Sequence, residues 1–170
     1  MMKKLLLSLA LVISLSFAAN AQTEKGGWIV GAQAANVSYN TTADIFTLTL
    51  SPQAGYFVAD NFAIGANLRI SMSNATGSNT VWAIGPFARA YFGGTEKSKF
   101  YAQANTGLVG MSGATAYNLG ATLGHTYFIT RNVGLETALG YNYSDSTNGG
   151  MGSSDLGLNL GFQIYLGKKK

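Results

Sequence analysis

Cysteine is absent from this 170-residue chain. That excludes disulfides, a thiolate metal site and the lipid anchor of a lipoprotein, which needs a cysteine after its signal. Charge is scarce too, with Asp, Glu, Lys and Arg making up 11% of the residues. A soluble sheet with one wet face needs charge there to stay soluble and to blunt its edges. The 2 prolines and 22 glycines are spread along the chain, unlike the clustered composition of disorder. Beyond the first 21 residues no stretch resembles a transmembrane helix, and none keeps a helical period. Catalytic material is thin as well. His125 is the 1 histidine, and no pair among the scattered acids has useful spacing.

What is present begins with an export signal. Lys3 and Lys4 form a positive start, Leu5–Ala18 an apolar run, and Ala19-Asn20-Ala21 a small-x-small cleavage site. The apolar run falls short of the roughly 20 residues that a spanning helix needs. The expected organisation is therefore a signal peptide over residues 1–21, cut between Ala21 and Gln22, and one β-barrel domain over 22–170. Such a chain belongs in the secreted, periplasmic or outer-membrane class.

The stretch Ser51–Ser73 separates these classes. In its second strand Phe62, Ile64, Ala66, Leu68, Ile70 and Met72 alternate with Ala63, Gly65, Asn67, Arg69, Ser71 and Ser73. Side chains alternate across a strand, so one face is apolar and the other small or polar. The polar face carries Gly, Asn, Gln and Ser where a soluble sheet would carry Lys and Glu. That is the pattern of a membrane barrel, apolar towards lipid and polar within. It recurs over eight candidate strands: Gly27–Tyr39, Ile45–Val58, Phe62–Ser73, Thr80–Phe92, Phe100–Met111, Thr115–Ile129, Val133–Ser144 and Asp155–Leu166. Ala32, Ala34 and Asn36 blur the first, as a bulge would.

Connections at Ala59–Asn61, Gly93–Lys99 and Thr130–Asn132 alternate with Asn40–Asp44, Asn74–Asn79, Ser112–Ala114 and Ser144–Asp155. The first set reads as periplasmic turns and the second as outer loops, which puts both termini in the periplasm. The fold expected is an all-β, eight-stranded antiparallel up-and-down transmembrane barrel. Glycines such as Gly31, Gly55, Gly65, Gly120 and Gly124 all fall on the polar face, as a narrow lumen filled by long side chains requires. Outward aromatics fall in two bands, the expected girdles at the headgroup levels. Trp28, Tyr56, Phe62, Phe92, Phe100 and Tyr127 lie towards the turns; Phe46, Trp82, Tyr117, Tyr141 and Tyr143 lie towards the loops.

Among the polar lumen residues stand three charges, Arg69, Arg89 and Glu136. An unpaired charge in so dry an interior is prohibitive, so Glu136 should pair with an arginine. Arg89 shares its depth near the turns, and Arg69 lies higher. The trio reads as a plugging charge network, or else as a gate. His125 has outward parity near the turns, far from Ser146 and Ser153, and reads as an interfacial residue. Gly149-Gly150-Met151-Gly152 is a loop rather than a phosphate cradle, since no helix follows it. The turn side gathers Lys25, Lys97, Lys99, Arg131 and Lys168–Lys170 against Glu24, Asp60 and Glu96. For an exported chain of pI about 9.3 the matching partner is anionic lipid rather than nucleic acid, the alternative being a solvated tail compatible with assembly. The loops hold Asp44, Asp145 and Asp155.

Three features give the chain a family likeness. They are the signal ending Ala-Asn-Ala-Gln, the segment Ser51–Gly65 and the segment Tyr127–Glu136. On these it resembles the OmpA/OmpX-type small outer-membrane barrels, nearest to the single-domain porin-family barrels of Bacteroidetes-like bacteria. The resemblance implies insertion among phospholipid and lipopolysaccharide, delivery by periplasmic chaperones and the barrel-assembly machinery, and a monomeric state. It also implies an assembly signal in the last strand. Gly161, Ile164 and Leu166 fit its spacing, although the chain ends Leu-Gly-Lys-Lys-Lys rather than on an aromatic residue. The role expected is structural or surface-interacting, without catalysis, cofactor or metal. The alternatives are a narrow pore and an enzyme acting on outer-membrane lipid.

Overall fold

Eight antiparallel strands close on themselves in chain order. They are β1 (Trp28–Asn40), β2 (Ile45–Ala59), β3 (Phe62–Ser73), β4 (Val81–Thr95), β5 (Ser98–Met111), β6 (Ala114–Phe128), β7 (Val133–Ser146) and β8 (Ser153–Leu166). The structure, a computed structural model, describes residues 23–40, 45–74, 80–111, 114–146 and 153–167. The expected signal peptide with its cleavage site at Ala21 and Gln22, much of the four expected outer loops including Asp44, the side chain of Phe46, and Lys168–Lys170 lie outside the described residues. Among the described residues there is no helix.

The seam that makes the barrel is the ladder between β1 and β8, running from Trp28↔Leu166 to Ala35↔Asn159. Closure leaves no free edge. Register slips between Ala35 and Ser38, the bulge that the blurred pattern of strand one called for. Two connections are shorter than expected. β7 runs on to Ser146 and β8 starts at Ser153, both inside the expected loop Ser144–Asp155. The segment Gly93–Lys99 is mostly strand, with only Glu96 and Lys97 in the turn. Gly93 and Gly94 adopt φ of 60° and 85°, left-handed values that let β4 irregularly overrun its partner and continue to Thr95. Asn61, with φ 61°, makes the β2–β3 turn in the same way.

Inside and outside follow the alternation. Outward stand large apolar side chains on all sides, among them Leu158 at 76% and Leu156 at 68% exposure. Inward, the packed core sits at the turn end of the lumen and is made of Ile29, Phe57, Ala63, Tyr91, Tyr101, Phe128, Ala138 and Tyr165. The expectation of a uniformly polar interior is thus corrected, because its turn-side portion is aromatic. Residues 23–27, ahead of β1, close this end. Thr23 is buried and donates to Asn61 Oδ1 at 2.6 Å, while its carbonyl accepts from the Asn61 amide at 2.7 Å. The Gly26 amide donates to Phe57 at 2.9 Å. Lys99 is also drawn inside, 4% exposed, its ammonium donating to Thr23 Oγ1 and Asn61 Oδ1. It therefore leaves the basic surface to which its charge was assigned.

Candidate functional site

Arg89 on β4 and Glu136 on β7 face each other across the lumen. Each sits at an inward position of its strand, and both are enclosed. Arg89 Nη1 lies 2.7 Å from Glu136 Oε1. Burying such a pair costs several kcal/mol per ion unless further hydrogen bonds satisfy the remaining atoms. Here they do. Glu136 Oε2 accepts from Gln33 Nε2 at 3.0 Å, and from the Tyr101 hydroxyl and Gln163 Nε2 at 3.3 Å each. Oε1 accepts from Thr126 Oγ1 at 3.1 Å and the Tyr165 hydroxyl at 3.4 Å. An acceptor-only carboxylate is what so many converging donors fit.

Arg89 is held as firmly. Its Nε donates to Gln103 Oε1 at 2.7 Å and its Nη1 to the Tyr91 hydroxyl at 3.0 Å. The guanidinium carbon lies 4.1 Å from the Tyr101 ring centroid, a cation–π contact in a dry site. Tyr91 and Tyr165 share a 2.9 Å hydrogen bond. With Tyr91 donating, a relay runs from Arg89 through both tyrosines to Glu136. The cluster links β1, β4, β5, β6, β7 and β8, so one ion pair braces most of the barrel wall. Among the described residues four buried polar atoms find no protein partner: Gln53 Nε2, Arg89 Nη2, Asn118 Oδ1 and Gln163 Oε1. These mark positions for internal water.

Arg69 does not join this cluster. Its Nη2 donates to Asn142 Oδ1 at 2.8 Å, and its charge is attracted to Asp155 on β8. The expected network of three charges is therefore two separate arrangements, one above the other. Depth is the reason. Arg69 pairs in register with Ala83 near the loops, whereas Arg89 pairs with Ala63 near the turns. The glycines make room for more than the long polar chains expected. Gly31 and Gly161 do face Gln163 and Gln33, while Gly124 leaves room for the Tyr101 ring, Gly55 and Gly65 for Phe87, and Gly120 for Asn105 and Asn142.

Several residues of this site carry no signal that separates them from ordinary strand aromatics. Phe57, Phe87, Tyr91, Tyr101, Phe128 and Tyr165 each have inward parity, which was the available clue. Of the outward aromatics, Trp28, Tyr56, Phe62, Phe100 and Tyr127 are exposed near the turns, with Phe92 half-buried against Phe100. Trp82, Tyr117, Tyr141 and Tyr143 are exposed towards the loops. His125 is outward and half-buried. It bonds Ser98, a partner not foreseen from the sequence, at 2.6 Å. Among the described residues no group of three or more His, Cys, Asp or Glu is placed to hold a metal ion.

Neither protein-family models nor curated protein sequences match the chain. Solved structures do. Neisserial surface protein A superposes with a TM-score of 0.65 at 20% identity, over 82% of this chain and 97% of that protein. The N-terminal β-barrel domain of Pseudomonas aeruginosa OprF gives 0.54 at 13% identity, over 84% and 98% of the two chains. The outer membrane protein OprG of the same bacterium gives 0.52 at 11%, over 88% and 100%. The fold is that of the small outer-membrane barrels. At these identities the likeness is one of architecture, and it leaves the contents of the lumen to be argued from the residues themselves.

Proposed function

We propose that this chain is an integral protein of the bacterial outer membrane with a structural role in the envelope, no catalytic activity and a lumen closed to ions. Both termini lie in the periplasm on this reading, and the barrel is a monomer. Its partners are the phospholipid and lipopolysaccharide around it, and the chaperones and assembly machinery that deliver it. The outward face supports membrane residence, since apolar side chains are exposed around the whole circumference, far beyond the few hundred Å² that a soluble monomer tolerates. A surface-interaction role depends on the outer loops, of which only the roots are described.

The single observation carrying the closed lumen is the Arg89–Glu136 pair lying across it, packed among Tyr91, Tyr101 and Tyr165. Eight strands enclose an interior just wide enough for side chains to fill. A narrow pore is the second reading, favoured by the four unpartnered polar atoms, whose waters would have to join into a column. Planar-bilayer recording of the refolded barrel separates the two. No steady openings are expected from the wild type. Reproducible openings that change with Arg69 or Arg89 substitution would make it a pore.

A further inference from the structure

On the outward face near the turns, Ser98 and His125 form a second polar arrangement. Ser98 opens β5 and His125 lies on β6, one diagonal step away across the ladder. Ser98 Oγ and His125 Nε2 are 2.6 Å apart, and the imidazole leans on Phe100 with ring centroids 5.1 Å apart. Beside them an apolar groove of about 480 Å³ crosses the wall. His125 is part of its lining, with Phe92, Phe100, Leu123, Leu139 and Leu158. Its floor is thin at Gly124, where no side chain stands above the Tyr101 ring. The volume is within the range of ligand sites, roughly 300–1,000 Å³.

Ser98 and His125, with Thr137 directly opposite His125 in the β6–β7 ladder, form a polar spot on a mainly apolar face, where polar groups need partners. The bond between Ser98 and His125 satisfies only one ring nitrogen. When Ser98 donates to Nε2, the neutral ring carries its proton on Nδ1, and no protein acceptor for it is found among the described residues. In that tautomer Nδ1 is available to donate to an acceptor outside the chain. Cations gather at the same end: Lys97 immediately precedes Ser98, and Arg131 stands exposed in the turn between β6 and β7. Glu96 is the acid nearest in sequence and offsets one of them.

We propose that this is a binding site for one anionic glycerophospholipid. Its acyl chain occupies the groove. Its phosphodiester accepts hydrogen bonds from His125, beneath the positive charge of Lys97 and Arg131. The site rests on the reading of the chain as a membrane barrel and gives that reading a specific lipid. Hydrolysis of the lipid is disfavoured by the same geometry. No carboxylate orients His125 among the described residues, and the strand amides beside Ser98 are engaged in the ladder, leaving no donors for an oxyanion.

The test uses the refolded full-length mature barrel in dioleoylphosphatidylcholine vesicles holding a minor fraction of dioleoylphosphatidylglycerol. Native mass spectrometry then reads the lipid retained after extraction. The wild type is expected to keep one phosphatidylglycerol, enriched over its share of the vesicle. His125→Phe, which removes the donor, and Thr137→Trp, which fills the groove, should each lower retention about tenfold, equivalent to about 1.4 kcal/mol. Ser98→Ala should give a smaller loss. Heat-modifiable migration on a gel checks that each variant is folded; if Thr137→Trp is not, His125→Phe decides. Retention in the vesicle's own lipid proportions, or equal retention by all variants, would overturn the site. So would preferential retention of added lipid A that the same substitutions abolish. Failure of the wild type to insert at all would sink the membrane reading as well, whereas insertion without selective retention sinks the site alone.

Discussion

The two halves of the lumen solve the same problem differently. Near the turns, Arg89 and Glu136 are sealed among aromatic rings and every carboxylate oxygen is bonded several times. Near the loops, Arg69 is only half-buried and holds one neutral amide oxygen at Asn142, with the charge of Asp155 as its further support. Water explains the contrast. Where water reaches, an arginine needs few partners. Where it does not, each unmet atom carries its desolvation cost, and the protein supplies most of the set, leaving Arg89 Nη2 and Gln163 Oε1 of this cluster to internal water. A charge in a barrel of this width is therefore stable in proportion to how fully its surroundings replace water.

Breaking the sealed half should have the largest effect. Arg89→Met leaves Glu136 buried and unpaired, and is expected to lower stability by about 3–5 kcal/mol in urea unfolding from lipid vesicles. Exchanging both residues, Arg89→Met with Glu136→Gln, should cost much less. Strict additivity in that double-mutant cycle would contradict the pairing.

A reference from outside the lumen comes next. Leu139 is 47% exposed on the outward face, opposite Leu158. Leu139→Arg should cost about 2–4 kcal/mol if the position meets the bilayer midplane. A neutral result in lipid would contradict the membrane placement while leaving the interior account intact.

The glycines sharpen the contrast between halves. Gly124→Ala presses a methyl group into the Tyr101 ring, which packing and the Glu136 bond hold in place, and overpacking of this kind costs about 1–3 kcal/mol. Gly120→Ala meets the amide ends of Asn105 and Asn142, which can swing aside, so its effect should be the smaller of the two. The opposite order would mean that the loop half is as tightly packed as the turn half. Smallest of all, Arg69→Gln should cost about 0.5–1.5 kcal/mol, one exchangeable hydrogen bond. A loss as large as that of Arg89→Met would erase the distinction between the halves.

Strand number, strand limits and facing were legible in the residues, because a period of two is a local property that needs no knowledge of neighbours. Phe62–Ser73 carries it without a flaw, and β1 showed its bulge as blurred alternation between Ala32 and Asn36. The register shifts between Phe57 and Ala59 and between Phe92 and Thr95 left no such trace. The pairing of Arg89 with Glu136 was also within reach, since both lie a similar number of residues from a turn and an isolated luminal charge is prohibitive. What escaped was whatever depends on contacts between strands distant in the chain. Inward parity of Phe57, Tyr91 and Tyr101 was visible, yet nothing local told that their rings would converge into one core, or that Gly124 was there to receive one of them. Ser98 and His125 lie 27 residues apart, and only the β5–β6 register makes them neighbours. Lys99 looked like one more surface cation until barrel closure drew its ammonium towards Thr23 and Asn61. Alternation decided which way each side chain points. Closure of eight strands decided which side chains meet, because register and shear, not sequence distance, set the depth at which each one enters the lumen.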